Sequence, residues 1–278
     1  LWIAIFVGIL MVSPMLAIFA RLHHIFPQRD LFDIIEICFG KVLGKTIIII
    51  FTWYTFYWAT DVLNNYGLFI RTVSLIETPK TISVIFLAVL CALCIRQGIE
   101  VLGRCAAILV IIVVLDIFII VLLLFPEMNI NNMLPVFQDG FKPVLKGANS
   151  VFTQPFVQTV AFTMAFSSFR KKKSSYKVYF TGLILGALLS LVISVTNILV
   201  IGIDEATNVF YPSYVAVSRM DIGDILQRLE VIIAIVFVLG GFIKISILLL
   251  CTCKGVKKIF GFNDYRFIVW PITLLVIK

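Results

Sequence analysis

Eight apolar runs, most of them close to the 20 residues that a helix needs to cross a bilayer, follow one another along the chain. They cover roughly 1–20, 46–69, 81–95, 103–125, 144–169, 178–202, 227–251 and 267–278. In hydrocarbon every backbone polar group needs a partner within the protein, so runs of this kind fold as helices. Composition agrees: 61% of the residues are hydrophobic and 14% charged, against about one-half and one-quarter in a soluble domain. The expected fold class is an all-α polytopic membrane protein, with residues 1–278 as a single integral membrane domain. The first run starts at Leu1 and the last is short and stops at Lys278, so both ends read as cut. Residues 1–20 lack the basic n-region and the cleavage site of a signal peptide.

Loop charges set an expected orientation. One set of alternate loops carries Arg21, Arg29, Lys41, Lys45, Arg96, Arg104, Arg170, Lys171, Lys172, Lys173, Lys177, Lys254, Lys257, Lys258 and Arg266. The other carries only Arg71, Lys80, Lys142, Lys146, Arg219 and Arg228. Cations collect on the cytoplasmic side, so the first set is expected inside. The net charge of +8 is accounted for by these loops. No basic stripe interleaved with aromatics marks a soluble face, and nucleic acid is set aside as a partner.

The fifth run is interrupted. Within KPVLKGANSVFTQPFVQTVAFTMAFSSFRKKK (142–173), Gln154-Pro155 sits near the middle of an otherwise spanning segment. Proline removes a donor and clashes with the preceding turn. The freed groups are tolerated at membrane depth only where they are buried in protein or line a cavity. Broken helices of this kind build binding sites in secondary transporters, while a ligand-free proline kink is the plainer reading. Asn149, Ser150, Thr153, Gln154, Gln158 and Thr159 offer uncharged donors and acceptors, with Phe152 and Phe156 as walls. If the helix resumes after Pro155, the N–H groups of Phe156, Val157 and Gln158 face the gap, an arrangement that suits a carboxylate. A small zwitterion such as an amino acid fits better than a metal or nucleotide; helix–helix hydrogen bonding is the alternative.

Ionisable residues inside spans are functional suspects. Asp61 lies in YWATDVLNNYG, where Thr60, Asn64 and Asn65 share a polar face with it. It either faces an outer vestibule or handles a ligand or proton. Asp116 stands alone in an apolar run, protonated or paired. Lys244 follows Gly240-Gly241 and either snorkels to the interface or pairs with Asp116. These three residues are the candidates for ion or proton coupling. Two loops exceed connector length. Residues 27–44 read as a cytoplasmic interfacial helix ending at Gly40 and residues 203–226 as short helices capping the outer mouth, with a plain connector as the alternative for either.

Sequence signatures of hydrolase, metalloprotease, nucleotide and dinucleotide sites are absent, so no enzyme activity, metal or cofactor is expected. His23 and His24 read as solvated loop residues. The six cysteines read as reduced thiols, with Cys251 or Cys253 open to acylation.

LPVFQDGFKPVLKGA (134–148), FTQPF (152–156) and YPSYVAVSRMDIGDILQRLE (211–230) resemble the spore germination permease family, the B subunits of nutrient germinant receptors. These are related to amino acid–polyamine–organocation transporters. The resemblance covers nearly the whole chain and implies a leucine-transporter-like inverted repeat of ten helices, of which eight are present here. The fifth run then matches the family's broken sixth helix, and the missing first helix would supply half of the site. Relatives often carry an acid shortly after this Pro-Phe, where Gln158 stands here.

The resemblance implies a nutrient germinant receptor B subunit that senses an amino acid in the spore inner membrane and triggers germination. Its partners would be the A and C subunits and the lipid bilayer. A proton- or sodium-coupled amino acid transporter is the alternative, and a non-binding scaffold or channel component the third. The expected ligand set is Thr153, Gln154, Pro155, Phe156, Val157 and Gln158, with Phe56, Tyr57, Thr60 and Asp61 of the second run and Phe237, Gly240 and Gly241 of the seventh.

Overall fold

Long apolar runs give helices, and some of their bends and ends fall at glycines such as Gly40, Gly98 and Gly202. The computed structural model describes residues 2–73, 77–134, 140–167, 174–218 and 230–277, and all regular structure among them is helical. In order these are α1 (Trp2–Ile25), α2 (Leu31–Val73), α3 (Lys80–Gln97), α4 (Ile99–Leu124), α5 (Lys142–Val151), α6 (Val160–Ala165), α7 (Ser174–Asn208), α8 (Pro212–Ser218), α9 (Glu230–Phe260) and α10 (Val269–Ile277). Five helical stretches among the described residues are long and apolar enough to cross a membrane: Trp2–Ile25, Lys80–Gln97, Ile99–Glu127, Ser175–Asn208 and Ile232–Phe260. Of the other expected spans, 46–69 is the later part of α2, 144–169 is divided between α5 and α6, and 267–278 holds the short α10. Ile108, Ile111, Leu115, Phe118 and Leu122 of α4 are all exposed, as lipid-facing side chains are. The basic block at 170–173, the motif residues 135–139 and 219–229, and both chain ends lie outside the described residues.

The chain divides into two compact units. The first comprises Leu1–Ile18, Ile112–Gln158 and Tyr176–Val236. Within it, small residues of α1 meet α5 and the segment after it: a Cβ at Gly8 would lie 3.3 Å from Val151 Cγ1 and 3.5 Å from Phe156 Cε2. α7 bends at Gly202 (φ 80°, ψ 168°). One turn before the bend, the Leu199 carbonyl accepts from the Asn129 N–H (2.9 Å) and Asn132 Nδ2 (2.8 Å). Asn197 Nδ2 donates to Ser213 Oγ at 2.9 Å, fastening α8 to α7.

The second unit comprises Phe19–Ile111, Thr159–Ser175 and Phe237–Lys278 and holds an extensive core built from α2, α3, α6, α9 and α10. α2 is two helices in one: Gly40, at φ 73° and ψ −178°, divides it. Only glycine adopts such a backbone without strain. A Cβ on Gly44 would lie 3.2 Å from the Glu36 Cα, so the chain folds sharply back on itself at this corner. α2 and α9 approach through glycines. A side chain at Gly241 would run into the Tyr66 ring, and one at Gly255 into Thr52. The Thr252 hydroxyl also donates to Thr55 Oγ1 at 3.0 Å. Overpacking at such a contact costs about 1–3 kcal/mol. Gly241→Val should therefore lower the melting temperature of the detergent-purified protein. Pairing it with Tyr66→Ala should recover part of the loss, and an additive double variant would separate the two residues.

Candidate functional site

The helical interruption expected at Gln154-Pro155 is present. α5 ends at Val151, the backbone widens into a π-type turn over Phe152–Phe156, and Val157–Thr159 form a 3₁₀ turn before α6. Gln154 leaves helical geometry altogether (φ −141°, ψ 117°). The Thr153 hydroxyl turns back to the last carbonyls of α5, donating to Asn149 O at 2.9 Å and Ser150 O at 3.1 Å. The Val157 N–H donates to the Phe152 and Pro155 carbonyls, so one of the three amides expected to face the gap is already engaged. α6 is also only six residues long, which makes it a poor dipole for a carboxylate.

What the break leaves open instead is a side chain. Gln158 is 7% exposed, and its Oε1 has no hydrogen-bond partner. A buried acceptor left unmade costs about 1–3 kcal/mol. Thr153, Gln154 and Pro155 are exposed, Phe156 is buried and Val157 half-buried. Gly8, packed on Phe156, was not among the expected site residues; its signal is a small residue on one face of an apolar helix.

The other expected ligand residues belong to the second unit. Asn65 Nδ2 donates to Asp61 Oδ2 at 3.1 Å, as their spacing of four predicts, and the Thr60 hydroxyl is taken by Phe56 O at 3.1 Å. Phe237 packs on Tyr66 (centroids 4.4 Å) and Phe69 (4.1 Å), so this residue meets α2 about three turns beyond Phe56 and Tyr57. Gly241 lies under Tyr66, whereas Gly240 has open space beside it. Tyr57 is exposed. Lys244 is half-buried. Asp116 keeps a buried Oδ2 with no partner.

The family described as spore germination protein matches residues 1–278. This chain belongs to the spore germination protein family. It is 27% identical to spore germination protein KB of Bacillus subtilis (strain 168), across 98% of this chain and 74% of that relative. The putative spore germination protein YfkT of the same organism is 24% identical, across 88% and 67% respectively. Spore germination protein XB of Bacillus anthracis is 24% identical, across 62% and 48%. With its apolar helices, this spore germination family member is a multi-pass membrane protein.

In the second unit, polar contacts tie this family member's α6 to α9 and to the loop after α1. Lys254 Nζ donates to Ala165 O at 2.8 Å, the last residue of α6, and lies 3.5 Å from Asp30 Oδ2. Lys258 Nζ bonds Asp33 Oδ1 and Glu36 Oε2, both at 2.7 Å. His23, expected in solvent, is buried, because its Nε2 reaches the Phe166 carbonyl at 3.1 Å; His24 is exposed. Sequence spacing gave no sign of these contacts.

Burial pushes the Asp30 carboxyl above its ordinary value of 3.8, and the Lys254 ammonium offsets this only in part. A carboxyl raised in the folded state binds its proton more tightly there. Its contribution is therefore favourable below the unfolded value and is lost as pH rises through the native one. Asp30→Asn should remove that falling arm: relative to wild type, the variant's melting temperature should improve as pH rises from 4 to 8. Parallel profiles would show that Asp30 titrates normally.

Proposed function

We propose that this chain is the B-type subunit of a nutrient germinant receptor, and that the break in its fifth apolar run binds a small polar nutrient, an amino acid. The observation that carries the reading is Gln158: a buried amide oxygen with no partner, placed where the helix is interrupted. Such an acceptor awaits a donor, and the ammonium of an amino acid supplies one. The exposed Thr153, Gln154 and Pro155 give that ligand a route of contact. The leucine-transporter-like inverted repeat, location in the spore inner membrane, and assembly with A and C subunits belong to the same proposal. It draws support from membership of the spore germination family and from the names of relatives such as spore germination protein KB.

Asp116 favours a second reading, since a buried carboxylate oxygen without a partner is what proton coupling would use. Equilibrium binding and uptake of radiolabelled amino acids by the full-length protein in liposomes separate the two. Saturable binding without uptake is the expected result. Concentrative, gradient-dependent uptake would make the protein a transporter. Binding equally strong in Gln158→Leu would remove that residue from the site.

A further inference from the structure

The sharp corner at Gly40 is built of two chemistries. On its outer side Ile37, Phe39, Val42 and Leu43 are exposed, Val42 at 82% and Leu43 at 64%. Lys41 and Lys45 are exposed among them. The acids of the preceding segment neutralise this surface only in part. Asp30 faces Lys254, while Asp33 and Glu36 are both taken by Lys258. The hydrogen bond from Lys258, with a smaller contribution from the Lys41 charge, holds the Glu36 carboxyl below the usual range. The corner therefore presents apolar side chains and net positive charge together.

Its level relative to the membrane is fixed from α9. Lys258 stands near the end of the apolar stretch Ile232–Phe260, and its bonds to Asp33 and Glu36 hold the segment at that end. Just beyond, Phe260, Phe262 and Phe267 form an exposed aromatic cluster with centroid separations of 5.6 and 5.1 Å. Aromatic residues collect where hydrocarbon meets water. An exposed apolar surface bearing lysines at that depth matches the acyl boundary and the phosphate layer at once.

We propose that the Gly40 corner is a binding site for anionic phospholipid, with Ile37, Phe39, Val42 and Leu43 in the acyl boundary and Lys41 and Lys45 on the phosphate. Cys38 lies within the patch and is exposed, whereas Cys91, Cys251 and Cys253 are buried. A bimane probe on Cys38, with Cys94 and Cys105 changed to alanine, reports which lipid occupies the corner. The full-length protein is reconstituted with brominated phosphatidylglycerol or brominated phosphatidylcholine as quencher. Phosphatidylglycerol should associate more strongly, by roughly fivefold for each lysine. Lys41→Gln/Lys45→Gln should abolish the preference, and Lys41→Arg/Lys45→Arg should keep it. Equal quenching by the two lipids, or an unchanged preference in the glutamine variant, would overturn the proposal. Quenching by neither would overturn it too, since protein would then cover the corner.

Discussion

Lys254→Met should destabilise the protein by about 3 kcal/mol at neutral pH, near the lower end for breaking a buried ion pair from one side. Two groups lose their partner together. The Ala165 carbonyl, at the end of α6, gives up a 2.8 Å hydrogen bond, and Asp30 gives up its cation while only 16% of its side chain is exposed. Aliphatic packing is largely retained by methionine, so the loss reports on the charge. It should shrink toward pH 5, because an Asp30 without its cation takes up a proton more readily and ceases to be a buried anion. Lys254→Met/Asp30→Asn should recover part of the stability, the remainder being the uncapped α6 carbonyl. Melting of the purified protein in detergent across this pH range is the measurement. A variant as stable as wild type at pH 7.5 would show that solvent already satisfies both groups.

Local features were legible in the sequence, because the same few residues that make them also mark them. Gln154-Pro155 announced the break, Gly40 the end of the helix before it, and the spacing of four brought Asp61 to Asn65. Contacts between distant segments left no such trace. His23 and Phe166 are 143 residues apart, and Lys258 and Asp33 are 225 apart. Only packing in space decides that a lysine in one loop reaches a carboxylate in another, or that a histidine beside an exposed histidine turns inward. The break itself shows both limits. Its position followed from proline, but which group remained open did not. A resumed helix would have offered its first amides, whereas the observed turns spend the Val157 N–H and leave the Gln158 oxygen.

That open oxygen sets up the most discriminating test of the site. Gln158→Leu should raise the half-saturating concentration of an amino acid ligand by roughly 10- to 100-fold, the range for losing a hydrogen bond to a charged donor. The same variant should be at least as stable as wild type without ligand, since leucine has no acceptor to leave unmade in a site only 7% exposed. Opposite signs for response and stability are what a binding residue gives and a packing residue does not. Gln158→Glu keeps an acceptor and should keep binding while making it depend on pH. Dose–response curves for binding, with melting curves on the same preparations, carry the comparison. An unstable leucine variant with unaltered binding would make Gln158 a structural residue, and the break at Pro155 a kink that holds no ligand.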